Sequence, residues 1–243
     1  MGREIPINYQ YPLQAAIYKM LSQSDEQFSL WLHDNGFQSK GKRFKLFTFS
    51  NLIVPQYGID KERERLIVKS DYVTLYVSFL PEKSTQRFVQ GIFANHTIQI
   101  ADYISGSQFR VNEIQMVPTL ENYTSDMQFS TLSPVCISQK NEQGYMDYLN
   151  PHDANYELGI LTGLLSRYNA INGHPYEGEP YCHLHLLSEP KSALIRIKAG
   201  TKSETRIRGY RYRFTIDLPE PLMQIAYESG LGEKGSMGFG MIW

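Results

Sequence analysis

The order of periodicities along the chain constrains its fold more than any other feature. "PLQAAIYKMLS" opens on Pro12 and spaces Leu13, Ala16, Ile17 and Met20 along one helix face. "DEQFSLWLHDNG" reads as a second helix, with Ser24 placed to cap it, acids in its first turn and Gly36 as its terminator. Strand-forming runs follow in "FKLFTFSNLIV", "RLIVK" and "YVTLYVSFL". A helix, "PEKSTQRFVQGIFA", comes next, and "HTIQIADYI" with "QFRVNEIQMV" closes the half in β-structure. Helix, strands, helix, strands is the rhythm of a βαββαβ unit.

Residues 118 to 126, "PTLENYTSD", interrupt that rhythm with polar residues and a proline. They predict a boundary between domains 1–120 and 121–243, each of ordinary domain size. The second half repeats the pattern: strand "QFSTLSPVCIS", helix "NYELGILTGLLSRYNAI", strands "HLHLL", "ALIRIKAG" and "TRIRGYRYRFTIDL", helix "EPLMQIAYES", closing strand "GFGMIW". The expected class is α+β, two tandem ferredoxin-like (βαββαβ, RRM-like) domains.

With 42% apolar residues the chain has material for two cores, yet no run approaches the roughly 20 apolar residues of a membrane helix. "MGREIPINYQ" lacks the apolar stretch of a secretory signal, and Cys136 and Cys182, far apart, read as reduced core thiols. A cytoplasmic protein is expected. The net charge of −1 hides an uneven distribution. Lys191 to Arg213 holds eight basic residues against one acid, Glu204, and Lys40, Lys42, Arg43 and Lys45 form an acid-free knot. Such segments are either anion-binding faces or solvated, solubilising surface.

"GLGEKGSMGFG", Gly230 to Gly240, places five glycines in eleven positions. Gly230, Gly232 and Gly235 satisfy G-x-G-x-x-G, but a dinucleotide fingerprint must follow a strand, open a helix and precede an acid by about 20 residues. These glycines follow a helix instead. No Gly-Lys-Ser/Thr marks a P-loop. Either Gly230 caps a helix and the rest is a link, or bared N–H groups hold a phosphate backbone beside Lys234. His183 and His185 share a strand face near Cys182 and His174, in no zinc-ligand spacing, and read as ordinary strand histidines. Neither metal nor cofactor is expected. His33 falls in the last turn of its helix, where carbonyl dipoles favour an imidazolium. It is either a helix-end stabiliser or an acid–base group at a phosphate.

The C-terminal run "IRGYRYRFTIDLPEPLMQIAYESGLGEKGSMGFGMIW" resembles the hallmark of the CRISPR-associated repeat-processing endoribonucleases, members of the repeat-associated mysterious protein superfamily. "INYQYPLQAAIYKML", "FSLWLHDNGF", "KRFKLFTFS" and "FSTLSPV" resemble further parts of that family. The likeness is strong at both ends and weaker between about residues 55 and 120. It implies a nuclease centre of Tyr18, His33 and Lys45. It also implies metal-independent attack of a 2′-OH on the adjacent phosphorus, leaving a 2′,3′-cyclic phosphate and a 5′-OH. Expected RNA contacts are Lys42, Arg43, Lys198, Arg206, Arg208, Arg211, Lys234, Gly235, Ser236, Gly238 and Gly240. The implied partners are CRISPR repeat RNA in precursor transcripts and other interference-complex subunits, with a homodimer left open.

Two departures stand out. Only about five residues precede "PINYQYPL", which predicts a shortened or truncated first strand, and Gly235 stands where many relatives carry asparagine. The rival expectation is a non-catalytic subunit that binds repeat RNA for an interference complex.

Overall fold

Strand β1 (Arg3–Pro6) is short but fully paired, running antiparallel to β6 (Arg65–Val68), which in turn pairs with β5 (Tyr57–Asp60). The computed structural model describes residues 3–117, 120 and 122–243, so the expected boundary at 120/121 borders residues outside the described set. Helix α1 (Gln10–Ser24) buries Leu13, Ala16, Ile17 and Met20, as the spacing predicts, and begins two residues before Pro12. Asp25 rather than Ser24 caps α2 (Glu26–Asp34): its carboxylate accepts from the Phe28 N–H at 2.8 Å and pairs with Arg87. Ser24 is used up as the last residue of α1.

Gly36 ends α2 at φ +60, its N–H donating to the Trp31 carbonyl at 2.9 Å. The hairpin of β2 (Phe37–Ser39) and β3 (Lys42–Phe44) follows, and its short polar strands gave no period in the sequence. Leu46 adopts φ +55, which breaks the expected long strand and turns the chain into β4 (Phe47–Phe49). Strand β4 pairs with β7 (Val77–Phe79), and α3 (Glu82–Ala94) leads to the β8 (Thr97–Ala101) and β9 (Gly106–Arg110) hairpin. Strand β9 stops at Arg110, short of the run read from sequence.

In the second half β10 (Gln128–Ser130), β16 (Arg213–Asp217) and β13 (His183–Leu186) form one antiparallel sheet. Residues 241 to 243 close it, with Ser130 and Trp243 exchanging backbone hydrogen bonds of 2.7 and 2.9 Å. Helices α4 (Tyr156–Asn172) and α5 (Glu220–Ser229) contribute Ile160, Leu164, Leu222 and Ala226 to the same core as Phe129, Phe214 and Ile216. The predicted single strand 205–218 is two, β15 (Thr205–Arg211) and β16, parted at Tyr212, whose buried hydroxyl bonds that of Tyr156 at 2.9 Å. Strand β15 pairs with β14 (Lys191–Ile197), and a second unexpected hairpin joins β11 (Ser138–Lys140) to β12 (Met146–Tyr148). Both halves are ferredoxin-like. Cys136 and Cys182 are buried free thiols, each pushed up to about 12 by burial. No helix among the described residues is long and apolar enough to cross a membrane.

The glycine segment is the seam between the halves. The Thr48 hydroxyl of β4 donates to the Phe239 carbonyl at 2.9 Å, and the Phe239 ring packs with Ile195, Ile197 and Ile207 of the β14–β15 hairpin. A Cβ on Gly238, at φ +83, would lie 2.5 Å from the Phe49 ring. One on Gly240, at φ +79, would collide with the Leu231 carbonyl. Gly240→Ala therefore combines positive-φ strain with a backbone clash, together costing about 2–4 kcal/mol. The melting midpoint should fall by roughly 4–16 °C. A calorimetric midpoint equal to wild type would show that the seam relaxes around a methyl group.

Candidate functional site

Helix α2 needs help at its C-terminal end, where the last carbonyls have no intrahelical partners. The Lys45 ammonium donates to the carbonyls of Leu32 and His33, and Arg43 Nη1 donates to that of Asp34 at 2.7 Å. Two side chains of the acid-free knot thus close one helix end and complement its dipole. Burial lowers the Lys45 pKa, helped by the neighbouring Arg43 charge and opposed by Asp34.

This closure fixes the place of His33. Its imidazole is exposed, with Nδ1 2.8 Å from the Asp34 carboxylate, a partner the sequence reading did not single out although it is the next residue. With the Nδ1 proton assigned to that contact, Nε2 carries the ring's acceptor lone pair. Tyr18, on α1, lies edge-on to His33 with ring centroids 5.3 Å apart, and edge-on to Phe47 at 5.7 Å. Burial pushes the Tyr18 phenol well above its ordinary pKa, so the ring carries its proton throughout the neutral range. Tyr18, His33 and Lys45 therefore converge from α1, α2 and the β3–β4 turn. Together they offer a neutral phenol, an imidazole and an ammonium.

The glycine loop reaches this cluster through β4. A Cβ on Gly235 would lie 2.8 Å from the Phe47 carbonyl, and the Phe47 ring supports Tyr18. Lys234 is exposed at φ +60, and Gly235 and Ser236 are half-buried in the short 3-10 turn Gly235–Met237. Gly238 and Gly240 correct the expectation of bared amides. Both are buried, and their N–H groups donate to the carbonyls of Gly235 and Pro134 at 2.9 Å each. Their lack of a side chain serves close packing.

The basic hairpin is two-faced. Ile195, Ile197 and Ile207 turn inward, while Arg196, Arg206 and Arg208 occupy the opposite face by register. Arg206 and Arg208 are exposed; Arg208 Nη1 donates to Ser192 Oγ at 2.8 Å, and Arg206 pairs with Glu204 at 3.3 Å. Arg196 instead ties the domains, pairing with Glu64, and its N–H donates to the Asn8 side chain at 2.9 Å. The Lys198 ammonium stands 5.6 Å over the Tyr11 ring of the first domain. Arg211 is exposed on the hairpin's other face opposite Lys191, and Lys42 is exposed on β3. Cys182 is buried while His183 and His185 are exposed, so thiol and imidazoles face opposite ways. Among the described residues no group of three or more His, Cys, Asp or Glu side chains converges on a metal position.

Two family models match the chain end to end. "CRISPR-associated protein Cas6, N-terminal" matches residues 4–115, and "CRISPR associated protein Cas6, C-terminal" matches 115–243. The chain is 26% identical over 246 residues to "CRISPR-associated endoribonuclease Cas6 1" of Methanocaldococcus jannaschii, covering 98% of this chain and 86% of that protein. It is 25% identical over 239 residues to "CRISPR-associated endoribonuclease Cas6" of Pyrococcus furiosus, covering 98% and 83%. Among solved structures, one described as "a Cas6-related gene from Pyrococcus furiosus" superposes with TM-score 0.80 at 24% identity, over 100% of this chain and 98% of the other. Another, described as "An RAMP protein binding different RNA substrates", gives 0.78 at 24% identity, over 99% and 92%. These superpositions establish the fold.

The helix-end role of Lys45 is testable apart from any activity. Lys45→Met leaves the carbonyls of Leu32 and His33 without their cation, which should cost about 1–2 kcal/mol. The midpoint should drop by roughly 2–8 °C, and the Asn35 and Gly36 amides, both bonded to the Trp31 carbonyl, should exchange faster. Unchanged exchange at those amides would remove Lys45 from the closure of α2.

Proposed function

The chain belongs to the CRISPR-associated Cas6 family, and from that membership we propose that it is an endoribonuclease that cuts CRISPR precursor transcripts within the repeat. The observation that carries this reading is the meeting of Tyr18, His33 and Lys45 at the end of α2, beside the glycine loop. His33 Nε2 removes the proton from the 2′-OH, whose oxygen attacks the adjacent phosphorus. Because its phenol stays protonated, Tyr18 acts as the acid, giving its proton to the departing 5′-oxygen; the proton held by His33 then passes to solvent while solvent reprotonates Tyr18, which restores both groups. Lys45 commits two hydrogens to the helix end and keeps one for the charge growing on the phosphorane. The products are a 2′,3′-cyclic phosphate and a 5′-OH, formed without a metal ion. Lys42, Arg43, Lys198, Arg206, Arg208, Arg211, Lys234, Gly235 and Ser236 contact the RNA; Gly238 and Gly240, both buried, support the loop from within the fold. Other interference-complex subunits, and a second copy of the chain, remain candidate partners under this reading, and a cytoplasmic setting suits its substrate.

His33→Ala should lower single-turnover cleavage of repeat RNA by 10²- to 10⁴-fold, with binding within a few-fold of wild type. Wild-type cleavage should persist in excess EDTA and stop on RNA carrying a 2′-deoxy sugar at the scissile nucleotide. Tyr18→Phe should be slow on ordinary RNA and recover on a substrate whose 5′-bridging oxygen is replaced by sulfur, a leaving group that needs no proton. Cleavage lost in EDTA, or products with 5′-phosphates, would overturn the mechanism. A protein that binds repeats tightly yet leaves them uncut would be the non-catalytic subunit instead.

Arg206→Ala with Arg208→Ala should flatten the log–log salt dependence of RNA binding by about 1.4, at roughly 0.7 per phosphate contact on a single strand. An unchanged slope would return both arginines to solvated surface.

A further inference from the structure

Glu204 is the single acid among eight basic residues between Lys191 and Arg213, and both oxygens of its carboxylate are engaged. Oε2 accepts the Gly200 N–H at 2.9 Å and lies 3.8 Å from Arg196 Nη1, while Oε1 accepts from Arg206 Nε at 3.3 Å. The Gly200 N–H first, then Arg206 and Arg196, hold its carboxyl below the usual carboxylate range, so it is an anion at neutral pH. Its side chain is 20% exposed, whereas that of Arg206 is 68% exposed. Arg196, the other cation in reach, is drawn off by the first domain: its guanidinium pairs with Glu64 and its backbone N–H donates to the Asn8 side chain. Oε1 is thereby left to Arg206. The Arg206 backbone is fixed as well, paired across the ladder with Arg196 and accepting the Tyr148 hydroxyl at 3.2 Å. With Nε committed to Glu204, the Nη1–Nη2 edge of Arg206 has no hydrogen bond among the described residues.

We propose that Glu204 is a specificity-determining positioning residue: it holds Arg206 so that the free edge of the guanidinium meets a phosphate set at one place in the repeat RNA, and its own charge weakens the binding of strands that present none there. This rests on the reading of the chain as an RNA-cutting protein with Arg206 on its RNA face. Two opposed effects make the acid selective. A carboxylate amid the arginines repels every phosphate that comes near, whatever the sequence. A planar fork already held by its Nε can take a phosphate oxygen pair in one orientation without first losing side-chain freedom. An RNA that docks in a fixed geometry gains from that order; a flexible strand held by diffuse charge gains nothing and meets only the repulsion. Arg196 and Arg206 face each other across the strands, and like charges so placed repel. Relief of that repulsion alone would stabilise the hairpin and leave the preference among RNAs unchanged, so preference is the quantity that separates the two roles.

The test uses the full chain, well below its melting midpoint, and two probes: the repeat transcript and a fluorescein-labelled single strand of a dozen uridines. Glu204→Gln keeps an oxygen for the Gly200 N–H and removes the charge. It should bind the uridine strand about 1.5- to 5-fold more tightly, the worth of one exposed ion pair. The ratio of the two dissociation constants, uridine strand over repeat, should fall roughly 2- to 13-fold, the factor for immobilising one flexible side chain. Asp71→Asn removes the same charge from an exposed residue past the end of β6 remote from Glu64, and should leave the ratio unchanged. Arg206→Lys lacks the fork and should lower the ratio by itself; adding Glu204→Gln to it should lower the ratio no further. An unchanged ratio in Glu204→Gln, an equal fall in Asp71→Asn, or the same further fall in the Arg206→Lys background would overturn the proposal while leaving the cleavage reading intact. Wild-type protein that neither prefers the repeat nor cuts it would overturn the cleavage reading and this inference together.

Discussion

The backbone of the glycine segment approaches β4 and its own flanking carbonyls more closely than any side chain permits, and the arrangement of the two domains depends on that approach. Gly235 lies against the carbonyls of Ser229 and Phe47, Gly238 against the Phe49 ring, and Gly240 against the Leu231 carbonyl. Positive φ at Gly230, Gly232, Gly238 and Gly240 lets the loop make these turns without strain. Thr48 then locks the seam through the Phe239 carbonyl, and the Phe239 ring fills the apolar side of the basic hairpin. One segment thereby sets the distance between the hairpin's exposed arginines and the cluster at the end of α2.

Cations at helix C-termini recur on both sides of this seam. Lys45 and Arg43 close α2, and Arg167 of α4 closes α5 by donating from Nη1 to the carbonyls of Ser229 and Gly230 and to Ser229 Oγ. Arg167 is 5% exposed, and burial draws its pKa down to about 10, so it remains a cation at neutral pH. A buried guanidinium is costly unless its hydrogens find acceptors; Nη1 of Arg167 meets helix-end oxygens and Nε the Gly163 carbonyl, while Nη2 has no partner among the described residues. In each domain the end of a capped helix carries the candidate chemistry: His33 in the last turn of α2 in the first, the glycine loop after α5 in the second.

Burial sets the neighbouring rings of Tyr18 and His33 in unlike environments. Tyr18 is held in an apolar setting by Phe47 and keeps its proton, whereas His33 stands exposed beside Asp34.

The local sequence determined the helices, the longer strands and the two-fold rhythm, because 3.6- and 2-residue periods of buried side chains are written in order along the chain. It also carried the family motifs that hold Tyr18, His33, Lys45 and the five glycines. The hairpins Phe37–Phe44 and Ser138–Tyr148 left no such trace, since their short strands are half exposed and polar. Only the tertiary structure decided what the special residues do. Arg196 became an interdomain ion pair and Arg206 a surface residue although the two are cross-strand partners in one basic hairpin, because docking of the first domain set Glu64 against Arg196 and left Arg206 exposed beside Glu204. Gly238 and Gly240 became packing residues because the N–H groups they could have offered found carbonyls inside the seam. Composition records which groups a chain owns; long-range packing decides which of them remain unpaired.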